Sequence, residues 1–523
     1  MGKRKDGPIS VSKLFFKRLV RIINIIMSQK TSDSSTMPIH WEYAHAPEST
    51  DHVQYEKQYG LFIDGAFTHY DPSKSFDSLN PATRELLYQC TQADEKDVDA
   101  AVKAARKAYE EHWGSGKGST RGKYLYRIAR MLQERAREFA VLESLDGGKP
   151  IRESRDIDIP LAAAYFFYYA GWADKLAYAF PAKKVTPLGV CGQIIPWNFP
   201  LLMLAWKIAP ALACGNTVVL KPAETTSLTA LKFCELLQDI GLPNGVVNLI
   251  TGPGQTGEYL VNHDGIDKIA FTGSTGVGKK IQQSIAGRNI KSTLELGGKG
   301  AYIIFEDASL NEAVEGIVNA IFFNQGHVCC AGSRLLVQEG VADRVIELLK
   351  QRMATLIVGD PLDKNTDVGA INSQNQLNTI QRYVDIGLEE GAECFQCEGN
   401  IPSSGFYFRP TLLTKVSQSS TVVQEEIFGP VLTVQTFRTT QEAIDKANNT
   451  PFGLANGIWT DKGSKIFHVG SQLRSGVVWS NTYNKFDPTS PFGGYKESGK
   501  GREGGVQGLA PYVHLESNVE AEI

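Results

Sequence analysis

The strongest sign of chemistry in this sequence is a cysteine and a glutamate that each lie among small residues. Cys329 belongs to the run N-Q-G-H-V-C-C-A-G-S-R, and Glu295 belongs to the earlier run T-L-E-L-G-G-K. A thiolate can act as a nucleophile, and a carboxylate can take a proton from an attacking water molecule. Because Cys330 follows directly, two cysteines compete for the role of nucleophile. The pairing predicts covalent catalysis through one of them, with Glu295 as the general base.

A glycine-rich segment predicts a binding site for a dinucleotide. The run Gly273-Ser274-Thr275-Gly276-Val277-Gly278 follows a predicted strand and precedes a helix expected over Lys279 to Ala286. Glycines there let the backbone approach a pyrophosphate, and the start of the helix offers free N–H groups. The run differs from the usual G-x-G-x-x-G, and a simple turn is the alternative interpretation. Lys221 and Glu224, just past another predicted strand, favour the binding site.

Alternating helices and strands must position these residues, which predicts the α/β fold class. Asp94 to Tyr109 and Arg121 to Leu145 have apolar residues at helical spacing, with charged opposite faces. Short β-branched runs between helices predict the buried strands of a parallel sheet. These strands are Val218–Leu220, Val246–Ile250, Lys268–Phe271, Ala301–Phe305, Arg334–Gln338 and Val431–Gln435. They fall into two series on either side of Glu295, so two α/β lobes are expected.

The composition is that of an ordinary globular protein and excludes several classes of function. The chain has 523 residues, of which 42% are hydrophobic and 21% are charged, and its net charge is −3. This charge is too small to attract nucleic acid, and no apolar run is long enough to span a bilayer. The eight cysteines are too sparse for a disulfide framework, which favours a reducing compartment. Cys394 and Cys397 form one isolated C-x-x-C without the second ligand pair of a structural zinc site, so no metal is expected.

Residues 1–54 are predicted to be an N-terminal extension. Lys13, Lys17 and Arg21 repeat every four positions beside apolar residues, which is typical of a basic amphipathic helix. Such a helix fits a mitochondrial transit peptide or a segment that contacts a membrane surface. A disordered tail, or a true start at Met27, is the other interpretation, and it is preferred because arginine is scarce for a transit peptide. The expected location of the mature protein is the cytoplasm, with mitochondria as the alternative.

Between about Leu61 and Tyr512 the chain resembles the aldehyde dehydrogenase superfamily. The runs around Cys329 and Glu295 match the motifs that hold the nucleophilic cysteine and the general base of that family. The match selects Cys329 rather than Cys330 as the nucleophile. The amino-acid sequence around Cys329 is similar to those of one branch of the family. Members of that branch often carry a second, degenerate dehydrogenase-like module, and this sequence contains no such module.

The resemblance also implies a mechanism. Pro196-Trp-Asn-Phe-Pro200 matches the motif whose asparagine stabilises an oxyanion. Asn198 and the backbone N–H of Cys329 are therefore expected to form an oxyanion hole. The thiolate would add to an aldehyde, the hydride would pass to NAD, and water activated by Glu295 would hydrolyse the resulting thioester to a carboxylic acid.

Cofactor contacts follow from the same resemblance. A carboxylate at Glu224 would accept hydrogen bonds from a ribose and repel a 2′-phosphate, so NAD is expected in preference to NADP. Two residues depart from the family pattern, because Gly276 stands where many relatives have glutamate and His327 where they usually have glutamine. His327 is close enough in sequence to Cys329 to be considered as its activating base, although the family manages without one. The implied cofactor-binding residues are Ile194, Pro196, Trp197, Lys221, Glu224, Gly254, Gly273, Ser274, Val277, Gly278, Leu296, Glu426 and Phe428.

Four aromatic residues occupy positions that line the substrate tunnel in relatives. They are Phe199, Trp206, Phe486 and Phe492. Their presence favours apolar aliphatic or aromatic aldehydes as substrates. A CoA-acylating semialdehyde dehydrogenase is an alternative, but Glu295 would hydrolyse its thioester before CoA arrived. A catalytically silent NAD-binding or scaffold protein is the other alternative, favoured by the departures at His327 and Gly276.

The implied domains are a variant Rossmann-type NAD-binding domain, an α/β catalytic domain and a small β oligomerisation element. The NAD-binding domain is expected over residues 55–165 and 188–297, and the catalytic domain over 298–500. Residues 166–187 and 501–523 are expected to form the oligomerisation element. The family's terminal strand adds to the sheet of a partner, so a homodimer or homotetramer is expected.

Overall fold

The computed structural model describes residues 44–517. The basic helix predicted around Lys13, Lys17 and Arg21 lies outside the described residues. Within the described range, two large sheets of mainly parallel strands are joined and covered by helices, which confirms the predicted α/β class. None of the helices in that range is long and apolar enough to cross a membrane.

The first large sheet has eight strands in the described part of the chain. Its five central strands run parallel, and most of their residues are buried because helices cover both faces. In spatial order the strands are Gly499–Lys500, Lys291–Glu295, Lys268–Thr272, Val190–Ile194, Thr217–Lys221, Val247–Leu249, Phe62–Ile63 and Ala66–Phe67. The predicted strands of the first series all belong to this sheet.

The second large sheet has seven strands among residues 44–517 and contains the strands predicted after Glu295. In spatial order they are Glu393–Gln396, Thr411–Thr414, Val431–Phe437, Arg334–Gln338, Ala301–Ile304, Ala455–Trp459 and Val477–Ser480. A smaller sheet pairs Gln58–Tyr59, Leu86–Thr91 and Ser75–Leu79. Two strand pairs, Phe452–Gly453 with Tyr495–Lys496 and Lys183–Pro187 with Val513–Ser517, complete the β structure of the described residues.

Amphipathic helices pack on both sheets. The α-helices are Glu95–Ala108, Gly118–Glu134, Ala136–Gly147, Ile151–Glu153, Ile159–Trp172, Leu176–Ala179, Pro200–Ala213, Leu228–Asp239, Gly254–Asn262, Thr275–Ser284, Leu310–Ile321, Ala342–Met353, Gln374–Glu389, Thr421–Gln424, Thr440–Asn448 and Gly463–Gly470. Short π-helical turns span Tyr109–Trp113 and Ser154–Asp158, and short 3₁₀ turns span Pro72–Lys74, Phe323–Gly326, Glu339–Val341 and Val506–Tyr512.

Two predicted helix boundaries are wrong. The helix expected from Lys279 begins at Thr275, because the hydroxyl of Ser274 caps it by accepting the N–H of Val277 at 3.4 Å. The single helix expected over Arg121 to Leu145 is two helices. Arg135, with φ −100° and ψ 17°, ends the first of them, and its guanidinium is held by Glu138.

The helix Pro200–Ala213 is buried along its whole length and lies directly behind the predicted catalytic residues. Proline at its first position suits the start of a helix, where a missing N–H costs nothing. Every residue of the helix is apolar except Lys207. A lone cation in such a helix must find a partner, because an unpaired buried charge is very costly.

Candidate active site

The carboxyl ends of four parallel strands meet at one edge of the first sheet. Ile194 lies beside both Lys221 and Phe271, and Thr272 lies beside Glu295. In open α/β sheets, ligands bind at this edge because loops and helix starts converge there. The register of the strands thus brings together residues that lie up to about a hundred positions apart in the sequence, from Ile194 to Glu295.

The glycine-rich run forms the turn and the first part of a helix at this edge. Gly273 is part of the turn, Ser274 is exposed, and the side chain of Val277 is 44% exposed. Gly278 faces the sheet, where an added Cβ would lie 2.5 Å from Leu296. At Gly276 an added Cβ would meet nothing within 4 Å, so the departure from glutamate has no packing cause.

Lys221 and Glu224 lie at the end of the neighbouring strand. The Lys221 Nζ donates to the carbonyl of Pro222 at 2.9 Å and lies 3.9 Å from the Glu224 carboxylate, which is half exposed. Burial lowers the pKa of Lys221 to about 8. Gly254 begins a helix that packs over this lysine, because a Cβ on Gly257 would lie 3.4 Å from the lysine side chain.

One cavity connects this edge of the sheet with the predicted nucleophile and the aromatic residues. The predicted residues that line it are Pro196, Trp197, Asn198, Phe199, Trp206, Gly273, Ser274, Glu295, Leu296, Cys329, Glu426, Phe428, Phe486 and Phe492. The other predicted cofactor residues do not line it and lie farther along the sheet edge, at Ile194, Lys221, Glu224, Gly254, Val277 and Gly278.

Two glycines after Glu295 let three loops approach one another. A Cβ on Gly297 would lie 2.2 Å from a carboxylate oxygen of Glu426, and a Cβ on Gly298 would lie 2.4 Å from the carbonyl oxygen of Cys329. The N–H of Gly298 donates to Glu426 at 2.9 Å. A larger residue at position 298 would push away the backbone of Cys329, and one at position 297 would displace the Glu426 carboxylate, so the two glycines of E-L-G-G-K allow both close contacts.

The nucleophile loop, residues 324–333 around the predicted nucleophile Cys329, is linked to Asn198 by hydrogen bonds. The Asn198 Nδ2 donates to the carbonyl of His327 at 2.7 Å, which leaves its second hydrogen for another acceptor. Cys329 is partly exposed. Cys330 is buried, and its thiol lies 3.8 Å from the side-chain oxygen Oδ1 of Asn484. The hydrogen bond with Cys330 and burial raise the pKa of the Cys329 thiol well above its usual value. A base is therefore needed to form the thiolate.

His327 packs among aromatic rings. Its ring lies edge-on to Trp197 at 4.7 Å and stacks on Phe428 at 5.9 Å between ring centres. Burial and the positive charge of Lys149 lower its pKa to about 3, so the ring is neutral near neutral pH. The ring supports Phe428 and Trp197 at the cavity wall.

Glu295 is 4% exposed, and neither of its carboxylate oxygens has a hydrogen-bond partner among the described residues. Burial, and then the negative charge of Glu503, raise its pKa well above its usual value, while Lys207 and Arg502 oppose the shift. Lys207 and Glu503 form a buried ion pair beside it. The sequence reasoning missed this pair, although a lysine in a helix of apolar residues was a usable signal.

The four aromatic residues predicted for the tunnel form one wall of the cavity. The Trp206 ring lies 5.3 Å from Phe492 and 6.2 Å from Phe486, and those two rings are 5.8 Å apart. Phe199 stacks on Phe323 at 6.1 Å. The cavity is therefore apolar on the side opposite the sheet edge.

Comparisons with known proteins show the family to which the chain belongs. The model of the aldehyde dehydrogenase family matches residues 67–517. An aldehyde dehydrogenase of Alternaria alternata is 44% identical over 474 residues, which cover 89% of this chain and 95% of that protein. An aldehyde dehydrogenase of Aspergillus niger is 45% identical over 475 residues, with the same coverage of both chains.

Solved structures agree as well. An NAD⁺ complex of an aldehyde dehydrogenase from Bacillus cereus has a TM-score of 0.85 at 41% identity, covering 88% of this chain and 96% of that one. An indole-3-acetaldehyde dehydrogenase of P. syringae, a cysteine-to-alanine variant in complex with NAD⁺ and IAA, has a TM-score of 0.85 at 38% identity, covering 89% and 97%. The resemblance seen in the sequence is thereby confirmed, and this chain belongs to the aldehyde dehydrogenase family.

Proposed function

We propose that this protein oxidises an aldehyde to the free carboxylic acid with NAD, through a thiohemiacetal and a thioester on Cys329. The observation that carries this proposal is the single cavity that holds Cys329, Glu295 and Asn198 between a dinucleotide-type sheet edge and an aromatic wall. The sequence and structure relatives, with their NAD⁺ complexes, support the same reaction.

The residues at the sheet edge fit NAD. The Thr272 hydroxyl is buried at the cavity wall without a hydrogen-bond partner in the described part of the chain, so a ligand can satisfy it. Lys221 and Glu224 would hold the adenosine ribose, and the helix start after Gly273 would hold the pyrophosphate. Glu426 and Phe428 would hold the nicotinamide end. NAD supplies the hydride acceptor of the reaction, at C4 of the nicotinamide.

In the first half of the reaction, the sulfur of Cys329 adds to the aldehyde carbon. The thiol proton leaves to Glu295 or to water, and the carbonyl oxygen becomes an oxyanion. The free hydrogen of the Asn198 amide and the N–H of Cys329 donate to that oxygen, which lowers the barrier because both donors are already in place. Loss of hydride from the former aldehyde carbon leaves a thioester.

In the second half, ionised Glu295 takes a proton from water, and the resulting hydroxide adds to the thioester carbon. The C–S bond then breaks, which releases the carboxylic acid and regenerates the Cys329 thiolate. The proton then leaves Glu295 for water, and the charges of the buried Lys207–Glu503 pair act on the pKa of Glu295 from beside it. A base at this position opposes a CoA-acylating role, because it removes the thioester that CoA would accept.

The aromatic wall supports apolar aliphatic or aromatic aldehydes as substrates. Phe199, Trp206, Phe486 and Phe492 offer ring faces and edges, and burying apolar surface against them favours binding by about 25 cal/mol per Å². A charged aldehyde would lose its hydration without gaining a partner on this wall.

One assay tests the proposed function. NADH formation is measured with purified protein over a panel of aliphatic, aromatic and charged aldehydes, with and without CoA. We expect NADH and free acid without CoA, with the highest kcat/KM for apolar aldehydes. An absolute requirement for CoA would contradict hydrolysis, and binding of NAD without NADH from any aldehyde would indicate a silent scaffold.

We propose further that the protein is a cytoplasmic homodimer or homotetramer. The strand pair Lys183–Pro187 and Val513–Ser517 is largely exposed, which supports pairing of its edge with a second copy. All eight cysteines are free, which supports a reducing compartment. Light scattering after gel filtration measures the mass. A reporter fused to residues 1–54 tests the location, and mitochondrial import would contradict it.

A further inference from the structure

The backbone just before the nucleophile has an unfavourable conformation. Asn324 and Gln325 have φ angles of 48° and 54°, and Gly326 has 74°. Glycine adopts the left-handed region without strain and asparagine tolerates it better than most residues, whereas Gln325 must be held there by its surroundings. All three residues are buried. Cys329 follows three residues later, so this turn sets the direction from which the nucleophile loop starts.

Hydrogen bonds from three sides hold the turn. The Gln325 amide donates to the carbonyls of Gly148 and Ala370 at 3.1 and 2.8 Å. The N–H of Asn324 donates to the carboxylate of Glu153 at 2.8 Å. The Asn324 amide donates to the carbonyl of Asn198 at 2.8 Å. Both side chains are thus held by backbone carbonyls, whereas the backbone N–H of Asn324 is held by the side chain of Glu153.

Glu153 therefore connects to the oxyanion donor through one residue. Asn324 contacts Glu153 through its N–H and Asn198 through its side chain. The Asn198 side chain in turn donates to the carbonyl of His327, within the same loop. A shift of Asn324 would move both ends of this chain of hydrogen bonds, and with them the amide that faces the oxyanion.

The charge state of Glu153 suits this contact and suggests a conservative variant. Burial raises its pKa to about 8, although the positive charge of Lys149 and the Asn324 N–H oppose the shift. Lys149 is itself paired with Asp158. A protonated carboxyl group still offers an acceptor oxygen to the Asn324 N–H, and the amide of glutamine has the same shape and the same acceptor.

We propose that Glu153 is a positioning residue for this active site: by accepting the Asn324 N–H it fixes the left-handed turn 324–326 and so aligns Asn198 with Cys329. The proposal rests on the proposed function of Cys329 and Asn198. Glu153 contacts neither substrate nor cofactor and acts only through Asn324.

The test compares the NADH burst of the wild type with Glu153→Gln, Glu153→Asp and Glu153→Leu at saturating NAD. The glutamine variant is expected within about threefold of the wild type. The aspartate is one methylene too short to reach Asn324 and the leucine has no acceptor, so both are expected to lose roughly tenfold to a hundredfold in burst rate. KM for NAD should change less than the burst rate, because Lys221, Glu224 and Ser274, which would hold the ribose and the pyrophosphate, are not among the hydrogen-bond partners of this turn.

Asp146→Asn is the matched control. Asp146 is also buried, and it accepts a backbone N–H, from Leu228 at 2.9 Å, away from the nucleophile loop. Its variant is expected to lower the melting temperature and leave the burst rate of the folded protein unchanged. An equal loss of burst in Asp146→Asn and Glu153→Asp would overturn the proposal, since the effect would then be general destabilisation.

The aspartate variant keeps the test decisive if Glu153→Leu does not fold. A wild-type burst rate in Glu153→Asp would overturn the proposal. If the wild type oxidises no aldehyde, the proposed function fails separately. Alkylation of Cys329 by iodoacetamide, followed by mass spectrometry, then replaces the burst. The aspartate variant should differ from the wild type by at least about threefold in that rate, and an unchanged rate would also overturn the proposal.

Discussion

At the proposed cofactor end of the site, along the sheet edge, Ser274 and Glu224 are exposed and Gly276 has open space around it, whereas at the proposed reaction centre Glu295 and Glu503 are almost fully buried. Backbone groups and exposed side chains recognise a ligand without being strained by its absence. Buried carboxylates without hydrogen-bond partners are costly, and they persist where chemistry uses them. Substitutions should therefore have graded effects at the cofactor end and severe effects at the reaction centre.

The largest effect is expected at the nucleophile. Cys329→Ala should reduce the NADH burst by at least about a thousandfold, because no thiohemiacetal can form. Cys330→Ala is the matched control and should keep the burst, since its thiol is buried against Asn484. Stopped-flow absorbance at 340 nm measures both. A dead Cys330→Ala beside an active Cys329→Ala would place the nucleophile one residue later.

Glu295→Gln should separate the two halves of the reaction. Hydrolysis of the thioester requires this base, whereas the Cys329 thiol can also lose its proton to water, so the burst should persist while steady-state turnover falls at least about a hundredfold. Acylated protein should then accumulate and be visible by mass spectrometry. A burst lost to the same extent as turnover would mean that Glu295 is also essential for forming the thiolate.

The pH dependence of turnover follows from the same carboxylate. Burial and the charge of Glu503 raise the pKa of Glu295, and only its ionised form can accept a proton from water. Where hydrolysis limits the rate, kcat should therefore rise as the pH rises through this pKa and level off above it. This rise of kcat with pH should disappear in Glu295→Gln. A kcat that is constant from pH 5 to pH 9 in the wild type would contradict this assignment.

The Lys207–Glu503 pair should matter for stability more than any cofactor residue. Lys207→Met leaves a carboxylate buried without its cation, which should lower the free energy of unfolding by about 3–5 kcal/mol. The double variant with Glu503→Gln removes the orphaned charge and should recover most of that loss. Urea denaturation followed by fluorescence measures both. A double variant no more stable than Lys207→Met would mean that packing, rather than charge, causes the loss.

The same contrast explains what the sequence could predict. Strand ends and glycine turns are local features, so the sheet edge with Lys221, Gly273 and Glu295 could be placed from spacing and resemblance. Lys207 in an apolar helix indicates that a buried partner exists. The sequence near Glu503 and Glu295 does not predict that these two distant segments meet, so the burial of Glu503 beside Glu295 could not be predicted. The strand bounds were predicted within about two residues, because short buried β-branched runs have few alternatives.

The predicted helix start at Lys279 lies four residues after the observed start at Thr275, because glycines are more typical of turns than of helices. The capping hydroxyl of Ser274 outweighs the low helix propensity of Gly276 and Gly278. The left-handed turn at Asn324 and Gln325 could not be predicted either. Tertiary hydrogen bonds impose its conformation, from Asn324 to Glu153 and from Gln325 to the carbonyls of Gly148 and Ala370. They hold Gln325 in a left-handed backbone conformation that glutamine rarely adopts.

The smallest effect is expected at Glu224, at the exposed end of the comparison. Its carboxylate should favour NAD by accepting ribose hydrogen bonds and should disfavour the 2′-phosphate of NADP by charge repulsion. Because the side chain is 51% exposed, water and salt screen that repulsion. Glu224→Gln should therefore narrow the ratio of kcat/KM for NAD over NADP by only roughly threefold to tenfold. Glu111→Gln removes the same charge from the turn Tyr109–Trp113, where Glu111 is exposed, and should leave the ratio unchanged. Equal use of NAD and NADP by the wild type would contradict this role for Glu224, and a hundredfold change in Glu224→Gln would show that the cofactor end is as sensitive as the reaction centre.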